Sequence, residues 1–189
     1  MPIDTKTALM DVAERAVRER GFDGFSYADL AQSIGIRKAS IHYHFPTKAN
    51  LSEALMTRYH KTLEEVCAQI DAKHDTGAAR LAAIIDVYRN ALNDGQTLCL
   101  CVAFVGSRES LSDEMKSGIT AFRAMMVDWL ATTFERGQVD SSIANVLSPG
   151  QEARSTLALL EGAHLAARAD ESVEVFDQAV ALLRARLKA

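Results

Sequence analysis

Ten residues lie between Gly35 and Pro46, and these two punctuation points limit the segment to one short helix. Glycine readily takes the left-handed conformation that closes a preceding helix, and the residue before a proline is pushed out of helical geometry. The spacing predicts a helix over 37–44. At about 100° per residue, Ile41 and Phe45 share one side with Ile36 from the turn. Ala39, Ser40, His42 and Tyr43 point away from that anchor, with Lys38 on the flank.

Two helices are expected upstream. Leu9, Val12, Ala13, Ala16 and Val17 form one stripe, and Gly21 follows basic Arg18 and Arg20 as a stop signal. After Phe22 and Phe25, Ser26 can cap a second helix with Asp29 as its capping-box partner, and Gly35 ends that helix after Ile34. Downstream, Thr47 is the expected cap of a long fourth helix, boxed imperfectly by Asn50 rather than Glu. Its stripe of Leu51, Leu55, Tyr59, Leu63, Val66 and Ile70 carries it to about residue 72. Five further helical stretches are predicted over 77–92, 97–105, 112–136, 149–169 and 173–188. Ser148, Pro149 and Gln151 read as cap, first helical residue and box partner of one of them.

The whole is expected to be all-α, about nine helices, with a three-helix domain over 1–50 and a helical domain over 51–189. Composition agrees, because only 3 prolines and 10 glycines occur in 189 residues and Ala and Leu abound where strands would use Val, Thr and aromatics. The longest apolar run, residues 98–105, is far short of the roughly 20 needed to span a bilayer. The opening residues lack a basic region followed by an apolar run, so no export signal is read and a cytoplasmic, non-membrane protein is expected. The 3 cysteines, Cys67, Cys99 and Cys101, are then expected as reduced thiols.

The net charge of −4 conceals a local imbalance. From residue 30 to 52 there is no carboxylate, while Arg37, Lys38 and Lys48 lie inside. A chain that binds a polyanion needs a positive face rather than a positive total. Three short helices, the second and third joined by a glycine turn and the third polar on its outer side, describe a helix-turn-helix reader of double-stranded DNA. Ile41 and Phe45 would pin the reading helix against the first helix and the Phe22/Phe25 region. Ala39 and Ser40 are small enough for close approach to base edges. His42, Tyr43 and His44 offer hydrogen bonds, and Lys38 can reach guanine or phosphate. Thr47 and Lys48 open the fourth helix at an end suited to phosphate.

The run "FSYADLAQSIGIRKASIHYHFPTKANL", residues 25–51, resembles the DNA-binding signature of the TetR-type (tetracycline-repressor-like) transcriptional regulators. The resemblance covers about residues 5–52. It carries a hydroxyl cap on the second helix, a Gly-Ile turn, a small-Ser-apolar-aromatic segment, then Phe and Thr-Lys. The DNA-binding set it implies is Ser26, Tyr27, Arg37, Lys38, Ala39, Ser40, His42, Tyr43, His44, Thr47 and Lys48. His42 departs from the pattern, since the family most often has tyrosine there.

The resemblance further implies a homodimer with a four-helix interface and an effector pocket. Val173, Phe176, Val180, Leu183 and Leu187 make a narrow seam in the last helix, with Leu157, Leu160 and Ala167 in the one before. Leu157, Leu160, Ala167, Phe176, Val180 and Leu183 are the expected dimer contacts, although intrachain core explains the same stripes. Tyr88, Phe104, Phe122, Met125, Met126 and Trp129 could line a pocket, with Phe134 beside them and His164 and Arg168 as polar groups. Cys99 and Cys101 read as buried packing residues, as thiol sensors of reactive species, or, lacking further ligands at metal spacing, least readily as a metal site. If helical, they project about 200° apart.

The function expected is a dimeric one-component regulator, a repressor, that binds a palindromic operator and is released by a small-molecule or reactive-species effector. No cofactor and no metal are expected. The alternative is a small-molecule-binding or thiol-chemistry enzyme that uses the N-terminal helices as an interaction module. No nucleophile-base pair, phosphate loop or carboxylate pair supports it.

Overall fold

The computed structural model describes residues 5–188; residues 1–4, part of the start read for an export signal, and residue 189 lie outside it. The described chain is all helical, with nine α-helices and one 3-10 turn. In order these are α1 (Thr5–Arg20), α2 (Tyr27–Ile34), α3 (Lys38–His44), α4 (Lys48–Lys73), α5 (Gly77–Asn90) and α6 (Leu100–Val105). The 3-10 turn at Arg108–Ser110 precedes α7 (Asp113–Val139), α8 (Pro149–Ala169) and α9 (Val173–Arg184).

Two compact units result. One holds residues up to His60 together with Leu100–Thr120, and the other Lys61–Cys99 together with Ala121 onward. In the first unit α1 packs on α2 and α6, and α2 on α3. Leu9, Ala13 and Val17 of α1 are buried, as are Leu30, Ile41, Phe45, Leu51 and Leu55. Phe22 meets Phe104 of α6 with ring centroids 6.2 Å apart. Arg58 of α4 bridges back to α1, with Nη1 2.7 Å from Asp11 and Nη2 2.7 Å from Glu14.

In the second unit α8 packs along α9, and both contact α5. Gly77 starts α5 hard against α7: a Cβ there would stand 2.3 Å from the backbone nitrogen of Gly137, so no larger residue fits without displacing a helix. The first N–H groups of α5 are met from outside the helix. Gly77 donates to Asp140 at 2.9 Å and Ala78 to Ser142 at 2.9 Å, while Ala79 donates to the Thr76 hydroxyl at 3.2 Å. Together they satisfy donors that a helix start otherwise leaves unpaired.

Two predicted helices are shorter than their apolar patterns suggested. Cys99 lies outside α6, because residues 97–99 bond elsewhere: Thr97 N–H donates to Leu92 at 3.0 Å and Cys99 N–H to His164 at 3.0 Å. The preceding turn has Asn93, Asp94 and Gly95 at positive φ, a conformation no helix continues through. The reading of Cys99 and Cys101 as two positions of one helix is therefore corrected. Likewise α9 stops at Arg184, and the residues after it pair with the α7–α8 loop. Ala144 N–H donates to Arg186 at 2.9 Å and Lys188 N–H to Ser142 at 2.8 Å, around a bridge between Ile143 and Leu187. Ser148 stands at the N-cap of α8 with Pro149 behind it, but its hydroxyl makes no capping bond.

Candidate nucleic-acid interface

The helix-turn-helix geometry grows from local rules. Ser26 closes the predicted box: its N–H donates to Asp29 Oδ2 at 2.7 Å, and Asp29 N–H donates to Ser26 Oγ at 3.3 Å. The Ser26 hydroxyl, which also donates to Asp29 Oδ2 at 2.8 Å, and the Ser26 N–H hold the exposed Asp29 carboxyl below its ordinary range. At the other end of α2, Gly35 sits at φ +74° and donates to the Ala31 carbonyl at 3.0 Å, the left-handed cap that its identity suggested. Arg37 then starts α3 from an extended conformation, without a side-chain cap.

Within α3, Ile41 is wholly buried and Phe45 nearly so. Lys38, Ala39, His42 and Tyr43 are exposed and Ser40 and His44 half-buried, so the helix shows solvent a polar, cationic and aromatic side. Tyr43 is 84% exposed, although its ring is large enough to be worth burying. Among the described residues its ring meets that of His44 edge-on, with centroids 5.2 Å apart. Arg37, Ser26 and Thr47 are exposed as well. Thr47 accepts from Asn50 N–H at 3.1 Å and donates to Asn50 Oδ1 at 2.8 Å, so asparagine serves where a box would have Glu.

Two residues of the expected DNA-binding set are turned inward. Tyr27 is buried, and its hydroxyl donates to the carbonyls of Thr47 at 2.6 Å and Phe45 at 3.0 Å. Burial pushes its phenol up to about 12. It is a clamp on the α3–α4 turn rather than a DNA contact. Lys48 donates to the Phe25 carbonyl at 2.7 Å, with Nζ over the Phe25 and Phe22 rings at 4.1 and 4.5 Å. Burial lowers its pKa, against the pull of Asp23 and Asp29. In this conformation its charge braces the α1–α2 loop. His42 donates from Nδ1 to the Pro46 carbonyl at 3.1 Å and packs edge-on to Tyr27 with centroids 5.0 Å apart.

Comparison with known proteins matches this arrangement at both sequence and fold level. Residues 9–55 match the model of the bacterial regulatory proteins of the tetR family. A TetR-family transcriptional regulator from Agrobacterium tumefaciens superposes with a TM-score of 0.91 at 26% identity, covering 97% of both chains. A TetR transcriptional regulator from Legionella pneumophila does so with a TM-score of 0.88 at 25% identity over 100% of both. The HTH-type transcriptional repressor NemR of Escherichia coli K12 is 25% identical over 184 residues, 94% of this chain and 91% of its own.

Over residues 9–55 the chain matches the tetR-family regulatory proteins, and over 97% of its length it shares the fold of a TetR-family regulator.

The residues expected to sense an effector divide between the two units. Phe104 and Cys101 are buried in the first, Phe104 against Phe22. Tyr88, Cys99, Phe122, Met126 and Phe134 are buried in the second, with Met125 half-buried. Trp129 is tied down by its Nε1–H, which donates to Asp71 at 3.0 Å; Asp71 also pairs with Arg80 at 2.9 Å. Arg168 pairs with Glu171 at the surface, at 3.4 Å. His164 is wholly buried, its Nδ1 accepting from Cys99 N–H at 3.0 Å and its Nε2 donating to the Tyr88 carbonyl at 2.9 Å. The rings of Tyr88 and Phe176 stand edge-on to it at 5.5 and 5.7 Å. Both nitrogens are thus engaged by backbone, which corrects the expectation that His164 would hold an effector. All three cysteines are buried and free of disulfides, and burial, with Asp71 and Glu64, pushes the Cys67 thiol up to about 12. Among the described residues no cluster of His, Cys, Asp or Glu has the makings of a metal site.

The expected dimer contacts need the plainest correction. Leu157, Leu160, Ala167, Phe176 and Val180 are wholly buried within the single chain and Leu183 nearly so, because this stripe is the seam between α8 and α9. The outward side of α8 carries Ala158, Gly162, Leu165, Ala166 and Ala169 at helical spacing. That of α9 carries Gln178, Ala181 and Leu182, with Ala185 just past its end. Leu165 and Leu182 are 54% and 84% exposed.

Proposed function

We propose that this TetR-type regulator is a homodimeric repressor that binds a palindromic DNA operator through α3 and leaves it when an effector engages the helical part of the chain. The domains would be those read from the sequence, 1–50 for DNA and 51–189 for dimerisation and sensing, in a cytoplasmic, non-enzymatic protein. One observation carries the reading: α3 is anchored by Ile41 and Phe45 while Lys38, Ala39, His42 and Tyr43 stay exposed. They lie in a stretch of the chain without a carboxylate. An aromatic ring as exposed as Tyr43, on the same short helix as Lys38, suits a phosphate-lined groove. Ser40 and Ala39 suit close approach to base edges, with Arg37 and His44 at the flanks.

Dimerisation is supported by the outward side of α8 and α9. Alanine and glycine allow helix backbones to approach closely, and Leu165 and Leu182 supply apolar area that a monomer would leave in water. The two recognition helices would then stand about 34 Å apart, one turn of DNA, or somewhat more. No helix among the described residues is long and apolar enough to cross a membrane.

A gel shift on the DNA flanking the chain's own gene tests the reading. Wild type should retard it, with a salt slope that Lys38→Ala reduces by about 0.9 per contact removed. Salt-independent retardation, or none, would favour the enzyme alternative. Adding an oxidant or electrophile to Cys99→Ser and Cys101→Ser variants separates the effector routes. A thiol sensor loses its response in one of them; an unchanged response leaves a bound small molecule as the effector.

A further inference from the structure

His42 stands where the family resemblance leads one to expect tyrosine, and its ring has a defined pose. Nδ1 lies 3.1 Å from the Pro46 carbonyl oxygen. A carbonyl can only accept, so Nδ1 carries a proton in the neutral ring as well as in the imidazolium. Tyr27, edge-on to the same ring at 5.0 Å, is itself bonded to the carbonyls of Phe45 and Thr47. Three successive carbonyls of the α3–α4 turn are thereby held by two side chains. Because the Pro46 bond suits both protonation states, titration need not reorient the ring and changes only Nε2. That nitrogen is a lone pair when the ring is neutral and a charged N–H donor when it is protonated.

We propose that His42 is a proton-gated phosphate contact, so that this regulator grips DNA more tightly as pH falls through the imidazole range. The proposal rests on the DNA-binding reading above. Phosphate is the partner because base edges meet the N-terminal residues of a recognition helix, whereas His42 lies in the last turn of α3. A neutral Nε2 presents its lone pair to an anionic oxygen and makes no bond. The imidazolium donates a charge-assisted one. Tyrosine at this position would donate at every pH below its own range, so the substitution replaces a constant donor with a conditional one.

The titratable groups on the surrounding elements leave this role open. On α2, Tyr27 stays neutral, its phenol near 12, and Asp29 is closed in the box of Ser26. At the start of α4, Lys48 is bonded to the Phe25 carbonyl. On α3 itself stand Lys38 and Tyr43, both exposed. His44 is the other histidine of α3, and it serves as the control.

The test uses the full chain and a duplex that it selects from a random-sequence library. Wild type should bind that duplex about tenfold tighter at about pH 5.5 than at about pH 8. The salt slope should be steeper by about 0.9 per protomer at the lower pH. His42→Tyr and His42→Gln should each reduce the pH ratio to about twofold or less. His44→Gln, whatever it does to affinity, should keep the wild-type ratio. Circular dichroism melts at both pH values show which variants are folded, and either His42 variant suffices. In parallel, long-range proton–nitrogen NMR of the wild type should find the His42 proton on Nδ1 above the imidazole range. A ratio that survives in the folded His42 variants, or a neutral Nε2–H tautomer, overturns the proposal while DNA binding stands. A wild type that retards no duplex at either pH overturns the DNA-binding reading itself, and the proposal with it.

Discussion

The helix α3 and the pair α8–α9 are built alike and read differently. Each has an apolar stripe turned into its own chain and a second side left in solvent. In α3 the outer side is Lys38, Ala39, His42 and Tyr43, so polar and apolar residues separate the two sides without ambiguity. In α8 and α9 the outer side is largely alanine, with Gly162, Leu165 and Leu182. The strongest apolar stripe there, through Leu160, Phe176 and Val180, belongs to the intrachain core. A chain must first bury enough apolar area to fold, so the densest stripe goes to its own core. A surface meant for another helix can be made of small residues that pattern analysis scores as neutral.

That contrast is open to direct challenge. The largest effect should come from Phe176→Ala, which empties a wholly buried site and should lower unfolding stability by about 3–5 kcal/mol in urea titration. Folding stability left unchanged while the oligomer dissociates would return the stripe to the interface. Leu182→Glu should do the reverse. With the side chain 84% exposed, the isolated chain should lose at most about 0.5 kcal/mol. Light scattering should nevertheless show a monomer in place of the proposed wild-type dimer, and a dimeric Leu182→Glu would put the interface elsewhere.

On the α3 side the effects are smaller and more local. Tyr27→Phe removes the donor to the carbonyls of Phe45 and Thr47 and should destabilise by about 1–3 kcal/mol. If the clamp sets the attitude of α3, DNA affinity should fall as well, although this hydroxyl does not face solvent. A stability loss with affinity untouched would make Tyr27 a core residue only. The smallest effect concerns Asp29. Its folded pKa is lowered by Ser26, so its contribution is present above the ordinary carboxylate value near 3.9 and is lost as pH falls through the folded one. Amide exchange at the start of α2 should therefore speed up only in acid below about pH 4, and Asp29→Asn should abolish that dependence. Acceleration already at neutral pH in wild type would mean that the box does not hold.

Much of the fold was legible because its signals are local. Ser26 and Asp29, Gly35, and Thr47 with Asn50 act within one helical turn, and spacing alone located them. The site was legible in part. The sidedness of α3 follows from residue types at 100° intervals, but the inward turn of Tyr27 and Lys48 depends on carbonyls 18 to 23 residues away. Cys99 shows the same limit: its apolar run looked helical, yet its amide bonds to His164, 65 residues on.

The sequence by itself determined that this chain is a set of amphipathic helices with stated caps and stops, and that one short helix carries a cationic, acid-free outer side. These properties rest on contacts between residues at most four or five apart, whose geometry the helix supplies. Only the tertiary structure decided which stripe of α8 and α9 is core. It likewise decided that Tyr27 clamps a turn, and that the His42 ring bonds the Pro46 carbonyl through Nδ1. Those outcomes depend on which distant carbonyl or helix face a side chain meets, and a donor, an acceptor or a leucine is the same in sequence whichever partner it finds.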